Sequence, residues 1–288
     1  MTKRIAILIF CLSLFPHLSA QQKNSLLWEI SGNGLNQKSY IFGTMHMIKK
    51  SDFFITQIMK EKLMQSQCFI TEIDMNISLL KQLEISKQMF LPDGKTLKDF
   101  VSDTDFANFK SFVLDSLNIK EAKFEKYIRL KPFFLSAILT QQAVGKIKAY
   151  EKELYKIAKN NGIPSDGLES FEFQFSLVDA TPIQEQAKDL IQEISTYKQS
   201  KQLLAQMVAY YKQQDLAALY NLIVKDADAN SEFNENFIFS RNKKWIPLII
   251  EKIKLRSCFI AVGAAHLPGE LGILQLLKQQ GYTVTPLN

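Results

Sequence analysis

Tyr40-Ile41-Phe42-Gly43-Thr44-Met45-His46 is an apolar, β-prone run that ends on a glycine and delivers a histidine three residues later. The arrangement returns more than 200 residues on, as Ile260-Ala261-Val262-Gly263-Ala264-Ala265-His266. The chain has three histidines, and the third, His17, lies in a segment expected to be removed. Every histidine of the mature chain therefore closes a GxxH pattern at the end of a strand-like segment. Histidine is the commonest metal ligand and the usual acid–base at neutral pH. The paired placement points to one site built from both ends of the sequence.

Working outward, the first twenty residues read as an export leader. Lys3 and Arg4 precede an apolar run over 5–15 that is too short to span a bilayer. Pro16 breaks the run, and Leu18-Ser19-Ala20 precedes polar Gln21-Gln22. No other stretch is long and apolar enough for a membrane helix, so membrane attachment is expected only if the leader is uncleaved. The expected destination is the periplasm or the medium. Loss of Lys3 and Arg4 takes the net charge from +6 to +4. The lysines are interleaved with glutamates along helical faces, a pattern of solvation that excludes a nucleic-acid track. Cys68 and Cys258 sit in matching apolar contexts, and spacing leaves both a disulfide and two free core thiols open.

Strand signals fall at 26–30 and 39–43, flanking the turn Ser31-Gly32-Asn33-Gly34, and at 68–73, 257–263 and 282–284, with a weaker one at 163–168. Helical patterns fill 52–65, 151–159 and 267–280. This alternation predicts an α/β fold: a central mixed, partly parallel sheet with helices on both faces. Residues 76–148 and 182–235 are rich in Lys, Gln and Leu and carry helical patterns without strand signal. They read as helical insertions in a single domain over 21–288, covering one edge of the sheet.

The polar residues line up at strand ends. His46 follows 40–43, Glu72 closes Phe69-Ile70-Thr71, Glu169 follows Asp166-Gly167-Leu168, and His266 follows 260–263. In open α/β sheets the carboxyl edge is where ligands bind. Two imidazoles with His46, His266, Glu72 and Glu169 as candidate ligands suit a divalent transition ion, Mn²⁺, Co²⁺, Zn²⁺ or Fe²⁺, with room for a water. Gly43 and Gly263 are expected to let the chain turn before each histidine with no Cβ crowding the site. Phe237, Arg241, Trp245, Ile249 and Ile253 recur at spacing four, so Arg241 lies in an apolar helical stripe and either pairs with a carboxylate or a substrate oxyanion or snorkels to the surface. Asn242 beside it is expected either to orient a ligand or to serve as a cap. HExxH, GxSxG and GxxxxGK[ST] patterns are absent, and Gly263, Gly269 and Gly272 do not make a dinucleotide fingerprint.

Taken in order, Leu27-Trp28-Glu29-Ile30, Ile41 to His46, Thr71-Glu72-Ile73-Asp74, Leu168-Glu169 with Gln174, Arg241-Asn242 with Trp245, and Val262 to Gly269 resemble the TraB/GumN family, whose animal relatives are the Tiki proteins. The resemblance implies a fold similar to the erythromycin-esterase and ChaN-like group. It also implies a functional core of two GxxH histidines, a glutamate and an arginine, which map to His46, His266, Glu72 and Arg241. The chain departs from the family where Ala149-Tyr150-Glu151 stands for Gly-x-Asp, and where Ser170 follows Leu168-Glu169.

The expected activity is a metal-dependent hydrolase acting on a peptide or protein substrate, the substrate class being what the likeness to Tiki metalloproteases implies. One of Glu72 and Glu169 would take a proton from water, and Arg241 would steady the developing oxyanion. The alternatives are a peptide-binding protein without turnover, of the pheromone-sequestering kind, an accessory role in exopolysaccharide production, and, more distantly, haem binding.

Overall fold

The computed structural model describes residues 24–225 and 231–288, so the leader lies outside the described residues. Eight strands follow in chain order: β1 Leu27–Ser31, β2 Ser39–Thr44, β3 Ile48–Lys49, β4 Cys68–Ile73, β5 Ile147–Lys148, β6 Ser165–Glu169, β7 Cys258–Gly263 and β8 Thr283–Leu287. Six of them form one sheet in the order β6-β4-β7-β2-β1-β8. β6, β4, β7 and β2 run parallel, while β1 opposes both β2 and β8. The fold is α/β, with helices on both faces of a mixed, mostly parallel sheet.

The reason is visible strand by strand. β2 and β7 are buried at every position, as continuous apolar runs must be when both faces are covered. The hairpin from β1 to β2 turns on Gly32, Asn33 and Gly34, all with left-handed φ. β8 alternates exposed and buried residues at its start and closes one edge of the sheet. β7, contributed by the C-terminal part of the chain, inserts between β4 and β2. Four carboxyl ends therefore share one edge, at a place where the order of the strands switches.

The helices differ from the sequence reading at their starts. The 52–65 segment is helical only over Gln57–Gln65, because Thr56 caps it and Asp52 and Phe53 instead bond back to the Lys49 carbonyl. In 267–280 only Ile273–Gln279 is an α-helix. Gly269, at φ 88°, breaks the path, and a short 3₁₀ turn over Ala264–His266 precedes it. The Tyr150–Asn160 helix buries Tyr150, Leu154 and Ala158, one stripe at spacing four, and packs on the Gln57–Gln65 helix.

The 76–148 segment is not purely helical. β5 lies at its end and pairs with β3 in a two-residue antiparallel ribbon, extended by the Lys50 N–H to Lys146 carbonyl bond. A ribbon this short leaves no period to read in the sequence. Leu97, Phe109, Val113, Phe124 and Leu135 form a second apolar cluster with Ala187 and Leu190 from the other insertion, so the two insertions pack on each other. Later residues of that segment, Tyr211, Leu216 and Leu219, join the main core instead. Cys68 and Cys258 are buried free thiols facing each other in the β4–β7 register.

Candidate functional site

His46, Glu72 and His266 meet at the shared carboxyl edge. Glu72, the fifth residue of β4, is buried, and its Oε1 accepts the Gly263 N–H at 2.8 Å. His46 Nε2 and His266 Nε2 stand 3.7 and 3.8 Å from that same oxygen. Each ring has its other nitrogen fixed. Asn242 donates its amide N–H to the carbonyls of His266 and Leu271 at 3.1 and 2.8 Å, so its Oδ1 accepts the His266 Nδ1–H at 2.7 Å. Glu151 Oε1 accepts the His46 Nδ1–H at 2.8 Å and the Thr44 hydroxyl at 2.6 Å. In both rings Nε2 is therefore the atom turned toward Glu72.

The two glycines do different work, and neither turns the backbone through a left-handed conformation. A Cβ on Gly43 would lie 3.0 Å from the Ala264 Cα and 3.0 Å from Leu267 Cδ1, so this glycine permits close packing of the 3₁₀ turn on β2. A Cβ on Gly263 would meet Glu72 Oε1 at 3.4 Å, His46 Nε2 at 3.4 Å and His266 Cδ2 at 3.5 Å. That position is a cradle the size of a methyl group, walled by both histidines and Glu72. Zn²⁺ or a similar ion, with bonds of about 2.0–2.2 Å, separates neighbouring ligand atoms by about 3.5 Å. The donor types, and the 3.7 and 3.8 Å separations of the two Nε2 atoms from Glu72 Oε1, suit such an ion. Among the described residues no three His, Cys, Asp or Glu side chains already stand close enough together to hold one.

Arg241 and Glu169 form the layer beneath. Arg241 is buried, and its Nε donates to both oxygens of Glu169 at 3.1 and 3.3 Å. Nη2 donates to Glu72 Oε2 at 2.5 Å and to Glu169 Oε1 at 2.6 Å. Nη1 reaches the Phe237 carbonyl at 2.8 Å and His266 Nε2 at 3.3 Å. All three guanidinium nitrogens are thus engaged within the protein. Glu169 also accepts from Trp245 Nε1 at 2.9 Å and from Gln174 at 2.8 Å. The Trp245 ring centre lies 4.6 Å from the guanidinium carbon of Arg241, and its ring packs at a tilt of 42° against His266, 4.5 Å between centres. The structure thus brings His46, His266, Glu72, Gly263 and Asn242 together, while Glu169 meets Arg241 rather than the histidines.

Burial separates the two histidines electrically. His266 is buried, and burial, aided by Arg241 and His46 against the pull of Glu72, holds its pKa at about 3. The His46 side chain is 60% exposed. What burial it has opposes its charge, but the Glu151 hydrogen bond and the Glu151 and Glu72 carboxylates outweigh that and lift its pKa to about 9. Burial would raise Glu72, yet His266, His46, Arg241 and the Gly263 N–H hold it at about 2. His266 is kept neutral by the fold but charges near 6.5 when unfolded, so the stability it contributes is lost as pH falls from 6.5 toward 3. Glu72 adds a loss as pH falls from 4.5 toward 2. Urea unfolding of chelator-treated protein is expected to show stability dropping already between pH 6.5 and 4.5, and His266→Gln is expected to flatten that window. An unchanged slope in the variant would contradict the assignment.

Glu151 is the residue that the strand-end pattern does not find. It lies in the first turn of a helix, where a carboxylate is ordinary. The β3–β5 ribbon brings the segment just after His46 against the segment just before Glu151, across 105 residues of sequence. Only the departure at Ala149-Tyr150-Glu151 marks the place. Burial raises Glu151, but the bonds from His46 and Thr44 outweigh it and hold it below the usual carboxylate range.

The sequence model of the TraB/PrgY/gumN family matches residues 26–286, from β1 to β8. The chain belongs to the TraB/PrgY/gumN family. No curated protein and no solved structure matches it. The family match spans both GxxH histidines, Glu72, Glu169 and Arg241, so in this TraB/PrgY/gumN chain the whole constellation lies within the shared domain.

Proposed function

We propose that the chain is an exported metal-dependent hydrolase acting on peptide bonds. The observation that carries the proposal is the approach of His46 Nε2 and His266 Nε2 to the same oxygen, Glu72 Oε1, beside Gly263. These three residues would hold a Mn²⁺, Co²⁺ or Zn²⁺ ion, which supplies a water that ionises near neutral pH. Glu151 and Asn242 take the Nδ1 protons and so leave both Nε2 atoms on the side of Glu72 Oε1. Arg241 holds one oxygen of Glu72 and leaves the other facing the histidines. Glu169, engaged by Arg241, Trp245 and Gln174, is assigned to holding the arginine rather than to ligation or proton transfer. Arg241 correspondingly becomes a positioning residue, since its donors point inward. Glu151, beside the exposed His46 ring, is the carboxylate nearest the open side for accepting a proton.

Outer partners of ligating histidines typically contribute 10–100-fold to metal affinity. Glu151→Gln and Asn242→Leu are each expected to weaken binding of Mn²⁺ or Zn²⁺ by roughly that factor, measured by titration against a competing chelator. Affinity unchanged in both variants would refute the orienting roles.

One observation favours a second reading, a peptide-binding protein without turnover. Arg241 approaches His266 Nε2 and grips Glu72, two of the three groups an ion would use. A mixed peptide library incubated with protein loaded with Mn²⁺, Co²⁺ or Zn²⁺ separates the two. Cleavage that chelator abolishes supports the hydrolase. Peptide capture with no cleavage under any metal supports the binder.

A further inference from the structure

A cavity of about 520 Å³ opens along the chain segment that follows His46. Its wall includes Met47, the residue after His46, with Lys49 of β3 and Val144 just before β5. The opposite wall is one face of the Tyr197–Lys212 helix, with Lys201, Leu204 and Val208. The helix is tied to the site because the buried Tyr211 hydroxyl donates to the Gly43 carbonyl at 2.9 Å, at the end of the strand that delivers His46. The volume is ordinary for a ligand pocket, and its chemistry is divided. Methionine, valine and leucine give an apolar floor, and the rim is cationic. Lys212 is paired with Asp52 at 2.8 Å, whereas among the described residues no carboxylate pairs with Lys49 or Lys201, both exposed.

From this arrangement we infer that the cavity receives the last residue of a peptide, taking an apolar side chain on its floor and the free C-terminal carboxylate between Lys49 and Lys201. The inference rests on the hydrolase reading for its consequence. Met47 directly follows His46 in the chain, so a residue seated beside Met47 would extend its preceding amide toward His46. The bond brought to the site is then the last amide of the peptide. Water adds across it, the C–N bond breaks, the departing amino acid takes a proton on its new amine, and the shortened peptide keeps the new carboxylate. The chain would trim peptides from the C-terminal end and favour an apolar final residue.

The test uses a fluorescein-labelled hexapeptide ending in leucine, as the free acid and as the terminal amide, with binding read by polarisation on chelator-treated full-length mature protein. A charge-assisted bond is strong enough that the acid is expected to bind at least about tenfold tighter than the amide. The double variant Lys49→Glu/Lys201→Glu is expected to erase that difference, and both positions are exposed, so the fold is not at risk. Equal binding of acid and amide, no binding of either, or a preference that survives the double substitution would overturn the inference. Laurate that competes while the peptide shows no acid preference would also overturn it, in favour of a fatty-acid site. Metal-loaded protein then separates the two readings. Acid preference without any cutting keeps the subsite and removes the hydrolase. Internal cutting of the amide as fast as the acid keeps the hydrolase and removes the subsite.

Discussion

Arg241→Ala is expected to destabilise the protein by about 3–5 kcal/mol, the usual loss when one partner of a buried ion pair is removed. The guanidinium is the cation between Glu72 and Glu169, whose side chains are 8% and 6% exposed. Without it, two buried carboxylates face each other with one charge too many. Glu72 keeps the Gly263 N–H and the exposed His46 ring at 3.7 Å, while Glu169 keeps only the uncharged donors of Trp245 and Gln174. Arg241→Lys is expected to recover only part of the loss. A lysine has three donors on one point and cannot reach both carboxylates, the Phe237 carbonyl and His266 as the planar fork does. Urea unfolding at pH 7 measures both variants. A loss under about 1 kcal/mol for the alanine, the range of an exposed pair, would contradict the reading of Arg241 as the clamp of the site.

Gly263→Ala is expected to separate function from stability. At φ −51° and ψ 135° the backbone suits any residue, and the added methyl would touch its neighbours no closer than 3.4 Å. The fold is therefore expected to keep its melting temperature. The methyl would fill the cradle among His46, Glu72 and His266, and displacing a reacting or binding group by about 1 Å commonly reduces rates about 100-fold. Metal affinity and any peptide cleavage are expected to fall by at least that factor. Gly43→Ala should do the reverse. Its methyl would press on the Ala264 backbone, an overpacking that typically costs about 1–3 kcal/mol. Parallel thermal melts and metal titrations of the two variants decide the matter. Equal stability losses would show that both glycines serve packing alone.

The legible part of this protein was its strand ends. The starts of these strands, Cys68-Phe69-Ile70 and Cys258 to Val262, are continuously apolar because both faces are covered, and that marks their burial and the polar residue a few positions on. Placing His46, Glu72, Glu169 and His266 at one carboxyl edge needed no knowledge of order. The order itself, with β7 wedged between β4 and β2, depends on pairing across most of the chain, and no local pattern encodes it. Glu151 was hidden for a related reason. Its partner is distant in sequence, and a two-residue ribbon brings them together. The direction of Arg241 was also illegible. Its helical stripe gave burial, but only the packed structure shows that every guanidinium nitrogen finds a partner inside the protein. The equivalence of the two GxxH patterns was the most misleading feature, since one glycine admits a backbone and the other opens the site.

We propose that His46, His266 and Glu72 form one metal centre. Elemental analysis of mature protein purified without chelator, beside the double variant His46→Ala/His266→Ala, tests it most directly. One bound transition ion per chain is expected in the wild type and none in the variant, with both proteins folded. No metal in the wild type after reconstitution with Mn²⁺, Co²⁺ and Zn²⁺, or equal metal in both proteins, would contradict it.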